Sequence, residues 1–252
     1  MSGHQPYEHV NPDGDPSLLI LCDHATNIVP PTVNGGTLGL SPAEMERHIA
    51  FDVGARGVAL ELSALLGAPA LLTRFSRLVI DPNRGEDDPT LVMRLYDGTI
   101  ISANRHISAE EIERRKAAYH RPYHAAIRAA IDEVEARGET PVLVSIHSFT
   151  PQFKGRPLRP WHVGLLWDHD DRLLRPLLAR LRAEDDLMVG DNEPYTGRLQ
   201  GDCMWTHGTC RGLPHALIEI RNDLIADPDH QAAWAARLAP MIRDAVAELN
   251  GA

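Results

Sequence analysis

The chain has 252 residues, 43% of them hydrophobic and 24% charged, with a formal net charge of -10. That length and apolar content suit one large α/β domain, and the acidic balance argues against nucleic-acid or anionic-membrane partners, which select basic surfaces. Cys22, Cys203 and Cys210 form neither a closed disulfide framework nor a CxxC pair, so they read as reduced thiols.

Residues 1–16 are polar and proline-bearing and read as an N-terminal tail ahead of a single domain over 17–252. No basic segment followed by an apolar core is visible there, so a cytoplasmic location is expected. The apolar run Leu18–Cys22 predicts the first strand. Ser41-Pro42-Ala43-Glu44 has a capping-box pattern with proline at the first helical position, and it opens a long helix with Met45, Ile49, Val53 and Leu60 on one face. Ala70–Leu72 and Leu78–Ile80 are strand-sized. Ser108-Ala109-Glu110-Glu111 opens a second helix that runs to Gly138 and is kinked or split by Pro122. Val142–Ile146, Val163–Trp167 and Ala216–Ile220 are further strands. A last helix follows Asp227-Pro228 towards Leu249, with Pro240 as an interruption. Strand-sized apolar runs alternating with amphipathic segments predict an α/β fold, a central and mostly parallel sheet covered by helices on both faces. Residues 84–106 and 149–161 are the candidate functional loops.

Three polar segments fall at predicted strand ends, Cys22-Asp23-His24, Ser145-Ile146-His147-Ser148 and Ile218-Glu219-Ile220-Arg221. The carboxyl ends of parallel strands line the ligand crevice of such a sheet. One strand-end histidine is more often structural than ligating, but two histidines with carboxylates have the donor chemistry of zinc. A third ligand is then needed, and Asp52, on the apolar stripe of the first long helix, is the candidate. The alternative for Asp52 is a salt bridge to Arg56 four residues on. Asp81 and Asn83 by themselves read as turn residues and Arg84 as a solvated charge, although an arginine fork beside an asparagine can also grip a carboxylate. His120 and His124 are spaced i, i+4, but Pro122 lies between them and no glutamate accompanies them, so Tyr119, Tyr123 and His124 are assigned to packing or to support of the site. His207 and Arg211, in a glycine-rich loop, face either substrate or solvent. Cys22 or Cys203 with a histidine is the nucleophilic alternative, but Cys22 lies within a strand, buried cysteines are usually inert, and no Gly-x-Ser-x-Gly elbow is present.

In order, His24-Ala25-Thr26-Asn27, His48-Ile49-Ala50-Phe51-Asp52, Ser76-Arg77-Leu78-Val79-Ile80-Asp81-Pro82-Asn83-Arg84, Tyr119-His120-Arg121-Pro122-Tyr123-His124, Ser145-Ile146-His147-Ser148 and Arg211–Arg221 resemble the N-formylglutamate amidohydrolase family. The resemblance runs from about residue 17 to 249. That family is related to zinc carboxypeptidases and aspartoacylase-like deacylases, so the resemblance implies a zinc-carboxypeptidase-like mixed sheet with one zinc per chain at the strand ends. It makes His24 and His147 metal ligands and Glu219 the catalytic glutamate. Arg77, Asn83 and Arg84 become the substrate set, with Arg77 on the oxyanion or a side-chain carboxylate, and Arg211 joins the substrate-binding candidates. Asn27 stands where the related pattern has a ligand glutamate, which passes that role to Asp52. The implied activity is metal-dependent hydrolysis of an N-acyl amino acid, N-formyl-L-glutamate first, a small-molecule substrate. The competing readings are a deacylase or peptidase on another N-acyl amino acid or short peptide, and a non-catalytic binding protein.

Overall fold

The computed structural model describes residues 4–251. Its strands are β1 (Tyr7–Val10), β2 (Leu18–Cys22), β3 (Ala70–Thr73), β4 (Leu95–Tyr96), β5 (Thr99–Ile100), β6 (Val142–Phe149), β7 (Val163–Leu166), β8 (Val189–Asp191) and β9 (His215–Arg221). Seven of them form one sheet in the order β1-β3-β2-β6-β9-β7-β8, and β4 pairs with β5 as a separate hairpin. The four central strands are mutually parallel, while β1 runs antiparallel to β3 and β7 antiparallel to β9. The sheet is therefore mixed with a parallel centre, as the sequence predicts.

Helices α1 (Pro42–Met45), α2 (Ala55–Leu66), α3 (Ala109–Arg115), α4 (Arg121–Glu135), α5 (Leu174–Arg182), α6 (Cys203–His207) and α7 (Pro228–Asn250) complete the fold. Successive strand residues point to opposite faces. Ile20, Cys22, Val144, Ile146, Ile218 and Ile220 thus pack with α2, α5 and α7, while Leu19, Leu21, Leu143 and Leu217 pack with Tyr123, Ile127 and Ile131 of α4 and Cys203 and Met204 of α6. Burying aliphatic side chains on both faces is what makes the central strands continuous apolar runs. Among the described residues, no helix is long and apolar enough to cross a membrane.

Several local expectations change. Tyr7–Val10, assigned to the tail, is an edge strand paired with Ala70–Thr73. Leu78–Ile80 is a buried turn and not a strand. Its carbonyls are satisfied from outside the sheet, since Asn104 Nδ2 donates to Leu78 O at 2.7 Å and Arg115 Nη1 to Val79 O at 2.9 Å. Buried polar backbone with such partners needs no ladder. The helix opened by Ser41 has its capping box but ends at Met45, and the long helix starts only at Ala55. Gly54 separates them with φ of 82°, and a Cβ there would meet Ile225 O at 2.1 Å, so only glycine fits. Asp52 consequently lies in a turn and not on a helical stripe. The second helix breaks at a π-helical turn, Lys116–His120, immediately before Pro122, whereas α7 runs through Pro240 without dividing.

Candidate active site

Asp52 is fixed by its backbone before its side chain acts. Its amide donates to His24 O at 3.0 Å, and Ala55 N donates to Asp52 O at 3.1 Å. This holds the carboxylate at the ends of β2 and β6. Oδ2 then lies 3.3 Å from His24 Nδ1 and 2.8 Å from His147 Nδ1, and accepts from Ser148 N at 3.2 Å. The three side chains are at most 3% exposed. Arg56, the alternative partner of Asp52, pairs instead with Glu8 at 2.7 Å.

The far nitrogen of each histidine is also held by a carboxylate. His24 Nε2 lies 2.7 Å from Asp81 Oδ1, and His147 Nε2 lies 3.2 Å from Asp23 Oδ2. Tyr123 Oη donates to Asp23 Oδ1 at 2.7 Å, and Arg77 spans Asp81 at 2.8 Å and Asp52 at 3.3 Å. Burial alone would raise these carboxylic acids. The His147 hydrogen bond and charge instead bring Asp23 down to about 2, Arg77 and His24 hold Asp81 well below the carboxylate range, and the two histidines do the same to Asp52. All three are carboxylates at neutral pH. Burial works against protonated His147, but its bonds to Asp23 and Asp52 outweigh burial and raise its pKa.

A cavity of about 490 Å³ opens over this centre. Its wall includes His24, Asp52, His147, Arg77, Asn83, Arg84 and Glu219. Glu219 is 6% exposed and its Oε2 has no hydrogen-bond partner. Burial raises its pKa, His147 opposes this and Asp52 reinforces it, leaving the acid at about 7. Such a carboxyl group can both take and return a proton near neutrality. The Asn83 backbone N donates to Asp81 Oδ1 at 2.9 Å, and the side-chain Oδ1 of Asn83 accepts from Cys203 N at 2.9 Å, which orients the side chain. Arg84 binds Asn83 O at 2.8 Å and stands 4.0 Å from Asp88, which leaves donors of its fork for a ligand. Arg77 is different, because most of its fork is used on Asp81 and Asp52.

Arg211 is not brought to the site. Its guanidinium pairs with Asp132 at 2.6 Å and with Glu135, both on α4, and it is absent from the cavity wall. The structure thus does not bring it together with the other substrate-binding candidates, because two surface carboxylates already satisfy it. Asn27 also points elsewhere, donating to Met45 O and Glu46 Oε1 at 3.0 Å. His120 and His124 hold backbone, accepting no role at the centre itself: their Nε2 atoms lie 2.9 Å from Arg84 O and Pro82 O. Sequence reasoning passed over His48, Tyr96, Tyr195 and Asp202 in the cavity wall and the supporting roles of Asp23 and Asp81. Burial raises Asp202 to about 7 and lowers His48 to about 4. Strand alternation is the one signal that could have found Asp23, since it continues the Leu19–Leu21 row towards Tyr123.

The donor set suits a zinc-class cation. Bonds of ~2.0–2.1 Å at tetrahedral to square angles put donor atoms roughly 2.9–3.4 Å apart, close to the 2.8 and 3.3 Å separations around Asp52 Oδ2. In such sites the second nitrogen of a coordinating histidine is usually held by a carboxylate, the position that Asp81 and Asp23 occupy here. The unpartnered Glu219 Oε2 adds a buried acceptor beside the three donors.

The sequence profile of the N-formylglutamate amidohydrolase family matches residues 16–226. The crystal structure of a gene product from Agrobacterium tumefaciens is similar with a TM-score of 0.92 at 34% identity, covering 98% of this chain and 97% of that one. An N-formylglutamate amidohydrolase from Ralstonia eutropha has a TM-score of 0.71 at 22% identity, covering 98% and 99%. A bacteriophage poly-gamma-glutamate hydrolase has a TM-score of 0.50 at 12% identity, covering 100% and 93%; these last two share the fold. No protein of curated function matches the chain.

Proposed function

Because the chain belongs to the N-formylglutamate amidohydrolase family, we propose that its cavity hydrolyses the amide bond of an N-acyl amino acid, with N-formyl-L-glutamate as the first substrate to try. The observation that carries this reading is the buried, unpartnered Glu219 Oε2 in the same cavity wall as His24, Asp52 and His147.

His24 Nδ1, Asp52 Oδ2 and His147 Nδ1 would hold one zinc-class cation. Its contribution when bound is Lewis acidity at the scissile carbonyl and at the attacking water. Glu219 Oε2 accepts the proton of that water and returns it to the leaving nitrogen, so the group ends each cycle as it began. Asn83 and Arg84 clamp the α-carboxylate and fix the amide relative to Glu219. Arg77 holds the Asp52 and Asp81 carboxylates in register and leaves one Nη1 hydrogen to face the developing oxyanion.

A larger acyl group than formyl is the second reading. Phe149, Leu166, Pro194 and Leu217 give the cavity an apolar wall, and about 490 Å³ exceeds what formylglutamate fills.

The deciding experiment is formate release from N-formyl-L-glutamate by zinc-loaded protein, with a chelator-treated sample beside it. Chelator-sensitive release is expected. Release that survives complete metal removal would sink the metal-assisted mechanism, and bound zinc without release would move the substrate to other N-acyl amino acids.

A further inference from the structure

A second set of ligating side chains lies behind the cavity wall, between α4 and α6. His124, Cys203 and His207 each offer one donor atom, all within 4.8 Å of one another. They are buried, at 5%, 0% and 1% exposure. His124 Nδ1 lies 2.7 Å from His207 Nε2, and the rings stack with centroids 5.0 Å apart.

The hydrogen bonds fix which atoms carry lone pairs. Pro82 O can only accept, so the 2.9 Å contact makes His124 Nε2 the protonated nitrogen and leaves Nδ1 as a lone pair aimed at His207. His207 Nδ1 is buried with no partner. Neutral imidazole is the ligating form, and a ring whose second N–H meets a backbone carbonyl is oriented as metal-bound histidines are. Access exists too, because His124 borders a surface cleft lined with Gly85, Asp87, His120, Gly201 and Thr206.

We propose that His124 Nδ1, Cys203 Sγ and His207 Nε2 form a second metal site, for a thiophilic cation of the zinc or cuprous class. The mixed imidazole and thiolate donors select that class over magnesium or calcium. Binding releases the Cys203 thiol proton to solvent, and the proton on His207 Nε2 moves to Nδ1. Two nitrogens on a tetrahedral zinc sit about 3.3 Å apart, so the facing rings open slightly from 2.7 Å. The cation ties α4 to α6 directly beneath the Pro82–Asn83 backbone, which His124 and the Cys203 amide already hold. The site therefore acts on the cavity by positioning and does not touch substrate.

Cobalt reports the site without turnover, since a thiolate ligand gives a near-ultraviolet charge-transfer band that the His24, Asp52 and His147 donors cannot give. The full chain is titrated with cobalt in a Cys210→Ser background, which removes the exposed thiol. Saturation at two cobalt ions per chain with the band present is expected, with the band absent in Cys203→Ser, diminished in His207→Ala and retained in Asp52→Ala. Saturation at one ion without the band, or a band that persists in Cys203→Ser, overturns the proposal. The titration of the otherwise native chain decides the matter even if a variant fails to fold. A failed activity assay leaves this spectrum unaffected.

Discussion

His147 and Glu219 are direct register partners in the parallel pair of β6 and β9. Paired residues leave the sheet on the same face. The rigid centre of the sheet therefore sets the His147 imidazole and a buried acid side by side, with no loop between them. Leu143 and Leu217, earlier on the same rows, pack against α4 and α6. Helical cover ends before His147 and Glu219, and the cavity begins there.

Replacing Glu219 by Gln keeps the shape and removes the proton acceptor. Turnover is expected to fall roughly 10²–10⁴-fold, with zinc still bound by metal analysis. Full activity in that variant would show that another group moves the proton.

The same carboxyl group makes a stability prediction with a definite sign. Its pKa is raised from 4.5 to about 7 in the fold. Its contribution to stability is thus complete below pH 4.5 and is lost as pH rises through about 7. Chelator-treated Glu219→Gln should match the native chain near pH 4 and be more stable at pH 8, by about 3 kcal/mol at most. Denaturant melts at the two pH values measure this, and an equal gap at both would contradict the ionisation account. Catalysis runs the other way. The carboxylate is the working form, so kcat/KM should fall on the acid side with a midpoint at or below about 7, because a bound cation lowers it. The residual activity of Glu219→Gln should lack that limb.

The sequence made parts of this site legible for a simple reason. Continuous apolar runs announce strands buried on both faces, and the residues just after them fall at the crevice, so His24, His147 and Glu219 could be placed from local pattern. Asp52 was legible as a buried carboxylate but not in its setting. Ile49 and Ala50 are buried by a loop cluster with Phe75 and Leu78, and their spacing imitates a helix that Gly54 in fact prevents. The edge strands β1 and β8 are partly exposed and mixed in composition, so no apolar run marks them. The setting of Arg211 was not legible because its partners, Asp132 and Glu135, are 79 and 76 residues away. Nothing local reveals which way such a guanidinium turns.

Asp81 carries a prediction that turn chemistry alone would not make. It holds His24 Nε2 at 2.7 Å and Arg77 at 2.8 Å. Asp81→Asn should weaken metal affinity about 10–100-fold, the usual effect of losing such an outer carboxylate. Competition with a chromogenic chelator measures it. Unchanged affinity would reduce Asp81 to its bond with the Asn83 amide.

Arg84 and Arg211 separate the cavity from the surface. Removing charged hydrogen bonds worth ~1.5–3 kcal/mol should raise KM of Arg84→Ala about 10–100-fold. Arg84→Lys should recover only part of this, since an ammonium lacks the planar fork. Arg211→Ala should leave KM unchanged and cost at most about 1 kcal/mol of stability, as surface pairs do. A KM effect in Arg211→Ala equal to that in Arg84→Ala would mean that α4 moves when substrate binds.

Gly164 tests how closely the wall is fitted to Glu219. It lies opposite Glu219 across the antiparallel pair of β7 and β9. A Cβ at this position would stand 1.9 Å from Glu193 O and 3.5 Å from the Pro194 ring, and the neighbouring Pro194–Thr196 segment lines the cavity. The backbone must retreat, which costs about 1–3 kcal/mol when a packed region is overfilled. Gly164→Ala should therefore lower Tm and raise KM together, while bound zinc stays constant because His24, Asp52 and His147 lie on other elements. A variant with lowered Tm but unaltered KM would show that the Pro194–Thr196 wall takes no part in holding substrate.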